Sequence, residues 1–137
     1  DWALAQVARA KKRDELPPTV VIAIGTNDMR WIDRARTKSR MVELIDRLGS
    51  NRTVLWVDTY ASGGDRFTRG KEKWFNRQVH RLSKKHDNVH RVVWGSYARN
   101  QGVRFADALH YNAAGERTWA RRITDALAVR AKEPDAR

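Results

Sequence analysis

Cysteine is absent from the 137 residues. The chain therefore has no disulfide, no thiolate nucleophile and no thiolate metal site, which is compatible with either side of a membrane. No apolar run reaches the length of about 18 residues that a membrane-spanning helix needs. The opening Asp1-Trp2-Ala3-Leu4 lacks the basic start and long apolar stretch of a signal peptide. A mature or trimmed product would look the same, so this does not decide the compartment. Carboxylates are scarce: 16 Asp and Glu stand against 28 Lys and Arg, a formal charge of +12. Such an excess attracts polyanions. The charges are scattered, however, and densest over Arg66 to Lys85. Neither a zinc-finger spacing nor an aromatic-plus-basic signature of RNA recognition is present. We therefore read the charge as solvated surface rather than as specific nucleic-acid binding.

What is present suits one domain over 1–137, able to bury roughly 68% of its unfolded surface. The hydrophobic fraction of 41% and six Trp argue for a true core. Residues 2 to 13 have helical spacing at Leu4, Val7, Ala8 and Lys11, and Leu16-Pro17-Pro18 stops that helix. Thr19 to Ile24 is an uncharged strand, with Val20, Val21, Ile22 and Ile24 as its β-branched aliphatics, suited to burial on both faces. After a polar loop, Thr37 is the expected N-cap of a helix lined by Met41, Leu44, Ile45 and Leu48 and closed by Gly49. Thr53 to Asp58 is a second strand. A long loop carries Gly63-Gly64, then Lys71 to Lys85 forms a helix with Trp74, Phe75, Val79 and Leu82 inward. Asn88 to Trp94 is a weaker third strand. Asn112 caps a last helix striped by Trp119, Ile123 and Leu127, and the end of the chain (131–137) is expected to fray. Strands alternating with helices specify an α/β fold with a parallel sheet covered on both faces.

Two clusters carry chemistry. Gly25-Thr26-Asn27-Asp28 follows the first strand, and in open α/β sheets ligands bind beyond the carboxyl ends of strands. A turn chosen only for local Asn and Asp hydrogen bonds is the plain alternative. Asp107-Ala108-Leu109-His110 lies between the third strand and the last helix. A histidine serves as general base because its unperturbed pKa is near neutrality. A carboxylate holding one ring nitrogen fixes the tautomer and stabilises the imidazolium. Alone, a D-x-x-H pair is a weak signal, since a surface histidine near a helix start is common.

Together, a strand ending in G-x-N-D and a D-x-x-H opening the last helix resemble the SGNH (GDSL-type) hydrolase and acyltransferase family. Tyr111-Asn112-Ala113-Ala114-Gly115 is similar to the family's residues after its histidine. With the Val93-Trp94 strand end, the likeness is greatest to SGNH domains fused to membrane acyltransferases of bacterial envelopes, and it runs from about residue 2 to residue 128. The resemblance implies a flavodoxin-like three-layer α/β/α fold and a serine esterase or O-acyltransferase acting on a short acyl ester, chiefly acetyl, of a carbohydrate or envelope polymer. His110 would be the general base, Asp107 its orienting partner and Asn27 an oxyanion donor, while Gly25, Thr26 and Asp28 would support the site. No metal or organic cofactor is implied. The implied setting is outside the cytoplasm, with a membrane-domain fusion in the parent protein as an option; a cytoplasmic placement stays open.

The departures are as informative. The family's Gly-Asp-Ser block and its second, glycine-bearing block lie upstream of the G-x-N-D strand, and neither is found here. Ser39, Ser50, Ser62, Ser83 and Ser96 do not match the motif; only Ser62, before Gly63-Gly64, sits in a plausible loop. Ala108 stands where the family often has glycine. The expectation is thus a fold lacking its first strand–helix portion, with the nucleophile supplied by an upstream segment or a partner chain. A non-catalytic SGNH-like glycan-binding module is the first alternative, and a basic nucleic-acid-binding domain the second.

Overall fold

Three short runs rich in β-branched and aromatic residues form the sheet in the computed structural model, which describes residues 1–26, 33–61, 66–107 and 109–132. They are β1 (Thr19–Ile22), β2 (Thr53–Val57) and β3 (Val89–Val92), parallel and in the order β1-β2-β3. Val21 pairs with Leu55, and Leu55 with His90. The helices are α1 (Trp2–Lys12), α2 (Arg34–Leu48), α3 (Arg66–Lys85), α4 (Gly95–Asn100) and α5 (Ala113–Ala131). The result is an α/β fold in which parallel strands alternate with helices.

Strand alternation divides the core in two. Val54 and Trp56 join Leu4, Ile22 and the inner faces of α2 and α3 on one side. Leu55, Val57 and Val92 join Trp94, Ala98 and the Trp119–Ile123–Leu127 stripe of α5 on the other. Val54, Leu55, Trp56 and Val57 are each at most 2% exposed. Burial of such side chains contributes roughly 1.5–3 kcal/mol apiece, so β2 is the stable centre of the fold. β1 differs. It is an edge strand, and its Val21 is 37% exposed on the face where α5 packs against β2 and β3. Among the described residues no helix is long and apolar enough to cross a membrane.

Several boundaries depart from the sequence expectation. The N-cap of α2 is Asp33, not Thr37: Asp33 Oδ1 accepts the Arg36 N–H at 3.0 Å, and helix begins at Arg34. The polar Arg34-Ala35-Arg36 had the look of loop because it carries no apolar stripe. α3 begins at Arg66 rather than Lys71, running through Gly70, whose missing side chain faces open space. A glycine inside a helix costs roughly 1 kcal/mol and does not by itself break it. β1 and β3 each end two residues early, and α4 occupies the start of the stretch between the third strand and the last helix. The 133–137 tail lies outside the described residues.

Candidate active site

Asp107, Leu109 and His110 lie at the tip of a hairpin pinched between Phe105 and Tyr111, which make an isolated antiparallel bridge. Ala106 N–H donates to the His110 carbonyl at 2.8 Å, and Asn112 N–H to the Arg104 carbonyl at 3.0 Å. Inside this frame Asp107 Oδ1 accepts the backbone N–H of both Leu109 and His110 at 2.7 Å. Asp107 Oδ2 meets His110 Nδ1 at 2.8 Å. One carboxylate therefore shapes the turn and holds the imidazole, leaving Nε2 as the ring nitrogen available for proton transfer. The backbone N–H of His110 is the largest cause of a carboxyl pKa held down at about 2, followed by the His110 ring and the Leu109 N–H. Both side chains are open to solvent, His110 at 72% and Asp107 at 57%.

The hairpin is fixed from below by aromatic rings. The Tyr111 hydroxyl accepts the Trp94 indole N–H at 2.8 Å and donates to the Tyr60 carbonyl at 2.9 Å. Its ring lies 5.1 Å from Phe105 and 5.6 Å from Trp94 between centroids. Burial pushes the Tyr111 phenol above its ordinary pKa, so the hydroxyl stays a neutral two-way bridge at assay pH. Asn112 then caps α5, accepting the Gly115 N–H at 2.9 Å. Gly115 has to be glycine there, since a Cβ would come within 2.9 Å of Val103 and 3.0 Å of Tyr111.

Gly25 lies three residues beyond β1 at φ +114°, where a Cβ would lie 2.6 Å from the Phe75 ring. Glycine is thus required for conformation and for space together. Asn27 and Asp28 lie outside the described residues, as do Ser62 and Ala108. Thr26, beside Asn27 in sequence, lines a cleft of about 80 Å³ with Asp58, Thr59, Trp119 and Tyr111. Tyr111 follows His110, so the strand end and the hairpin border one space at the carboxyl edge of the sheet. A larger cleft of about 370 Å³ lies between α1 and α2, floored by Trp56, Met41 and Phe75. At its rim Asp1 is ion-paired with Arg36 and Arg40. Those charges satisfy one another, and the cleft has no acid–base pair like Asp107–His110.

Sequence reasoning missed the buried polar frame behind the site. Asn76 of α3 clasps Thr59: Oδ1 accepts the Thr59 N–H at 2.9 Å and its hydroxyl at 3.1 Å, while Nδ2 donates to the Thr59 carbonyl at 2.9 Å. Glu72 accepts the Ala61 N–H at 3.2 Å through one oxygen and Arg99 at 2.9 Å through the other. Asp58, with no exposed side-chain surface, takes Arg91 bidentately at 2.8 and 2.7 Å. An asparagine and a glutamate one helical turn apart facing an apolar core were the available signal. Among the described residues, His110 makes its ring hydrogen bond to Asp107 and not to a serine; Ser83, for instance, donates to the His80 carbonyl. No family model, curated protein or solved structure matches the chain.

Proposed function

We propose that this chain is the carboxyl-terminal portion of a flavodoxin-like, SGNH-type serine esterase or O-acyltransferase, acting outside the cytoplasm on a short acyl ester of a carbohydrate or envelope polymer. The observation that carries the reading is the Asp107–His110 pair, bonded at 2.8 Å on a hairpin that borders the same cleft as the Gly25-Thr26 strand end. In this reading His110 Nε2 takes the proton of an incoming serine hydroxyl as its oxygen attacks the ester carbonyl. Asp107 keeps Nδ1 protonated and stabilises the imidazolium. The proton then passes to the departing alcohol, and a second alcohol or water releases the acyl group by the reverse route. Asn27 donates to the oxyanion. The serine comes from a segment outside these residues, set beside β1.

The test is ester turnover by the parent protein on an acetylated sugar and on a small aryl acetate. Asp107→Asn is expected to lower kcat by about 10⁴, and Asn27→Ala by about 10²–10³. Turnover unchanged in His110→Ala would overturn the reading. The missing Gly-Asp-Ser block favours one second reading, a glycan-binding module. Glycan binding retained in His110→Ala, with no turnover by any form, would select it.

A further inference from the structure

A second surface opens at the β3 edge of the sheet, between α3 and α4. It is a groove of about 240 Å³ whose polar wall comprises Lys73, Arg77, His80, Arg91, Ser96 and Arg99. Lys73, Arg77 and His80 fall at i, i+4 and i+7 on α3 and so share one helix face. All three are exposed. Across the groove, Arg91 and Arg99 are anchored by Asp58 and Glu72, whose side chains are 0% and 3% exposed. The two buried carboxylates fix their arginines in place, yet Arg91 and Arg99 keep 26% and 50% of their side-chain surface. Four permanent cations thus face two carboxylates that are already engaged, and the groove retains a positive excess.

We propose that this groove binds the oxyanionic units of an acidic, non-nucleic polymer, in the form of phosphate or carboxylate groups spaced along a flexible chain. Pre-positioned arginines suit planar or tetrahedral oxyanions because the guanidinium fork offers paired donors. The exposed Lys73 and Arg77 add adaptable charge at the rim. Among the described residues no Phe, Tyr or Trp lines the groove, and its ring is the His80 imidazole, so it lacks the row of broad aromatic platforms on which successive unstacked bases could lie. That favours a polyanion without bases. The groove also abuts the hairpin site. Arg99 lies 5.2 Å from the centroid of Tyr60, and Tyr60 stacks 6.5 Å from Tyr111, the neighbour of His110. A polymer seated by its charges would pass over Tyr60 toward Asp107–His110. The inference extends the esterase reading to the chemistry of its substrate, but its readout is binding, so either can fail without the other.

The experiment is equilibrium binding of the 137-residue chain to polyphosphate, polygalacturonate, uncharged dextran and oligo(dT) across salt concentrations. The double variant Lys73→Gln/Arg77→Gln keeps helix propensity and removes two rim cations; an unchanged thermal midpoint will verify that it folds. Expected are tight binding to polyphosphate or polygalacturonate and none to dextran. In the variant the affinity should fall by about tenfold and the log–log salt slope by about 1.5. Whichever acidic polymer binds more tightly identifies phosphate or carboxylate as the group held. A matched Lys11→Gln/Lys12→Gln variant on α1 should bind as the parent chain does. An equal loss in that variant would make the attraction diffuse and overturn the proposal. So would oligo(dT) binding more tightly than both acidic polymers with the same dependence on Lys73 and Arg77.

Discussion

Both carboxylate oxygens of Asp107 are engaged within three residues of it. Two backbone N–H groups and one imidazole nitrogen converge on it, and each favours the ionised carboxylate. Its pKa lies at about 2, below the ordinary 3.8, so the folded hairpin holds the proton less tightly than the unfolded chain does. The sign follows. Stabilisation of the turn is complete above about pH 4 and is lost as pH falls through about 2. A carboxyl-carbon NMR titration should give a midpoint near 2 for Asp107, and the turn should loosen over the same range. The backbone N–H of His110 is the largest contributor, so His110→Ala should raise the midpoint only part of the way to 3.8. A midpoint near 3.8 in the unmodified chain would show that the turn is not formed in solution.

At the level of elements, the segment after β2 is held by neighbours rather than by its own sequence. Thr59 is fully clasped by Asn76, and Gly95 opens α4 where a Cβ would sit 2.8 Å from the Thr59 carbonyl and 2.9 Å from Asn76 Nδ2. Thr59, α3 and α4 therefore lock as one unit beneath Tyr60 and Tyr111. Asn76→Ala leaves a buried N–H and carbonyl of Thr59 unpaired and should cost about 2–3 kcal/mol. The check is denaturant unfolding with an unchanged slope; a loss well under 1 kcal/mol would mean that water substitutes for the amide. The case also shows what was legible in the sequence. The strands declared themselves through β-branched runs, α2 and α5 through their apolar stripes, and the Asn112 cap through residue type and place. Asp107 and His110 were readable because their pairing is local, three residues apart. α4 was not readable: Gly95-Ser96-Tyr97-Ala98-Arg99-Asn100 is short and polar, and the conditions that make it helical lie at Thr59, Asn76 and Glu72. Likewise the Asp33 cap preceded a turn of helix with no apolar pattern to announce it.

For the whole molecule, the uneven dressing of the sheet sets the functional question. β2 and β3 are covered on both faces, whereas β1, one of the sheet's two edge strands, presents Val21 and Ala23 to solvent on the face where α5 packs against β2 and β3. Natural edge strands are protected by charge, proline or a bulge, and Thr19-Val20-Val21-Ile22 has none of these. Its chemistry suits a strand with neighbours on both sides. The proposed reaction lacks its nucleophile at the same border, since Gly25 and Thr26 follow this strand beside the hairpin cleft. One adjoining strand and helix would meet both needs, covering Val21 and bringing a serine to His110. A three-stranded domain with a tolerated bare edge is the competing account. The two differ in what Val21→Lys does. In the 137-residue chain alone the substitution should change stability by less than about 0.5 kcal/mol, as at other exposed sites. In the parent protein, where the adjoining segment would bury that position, it should cost several kcal/mol through an unpaired buried charge and reduce ester turnover with it. A serine-directed covalent probe gives the decisive reading. The isolated chain should remain unlabelled by mass, and the parent protein should take one equivalent on a serine outside these residues. Stoichiometric labelling of Ser39, Ser50, Ser62, Ser83 or Ser96 in the isolated chain, with turnover, would locate the nucleophile here and remove the need for an added strand.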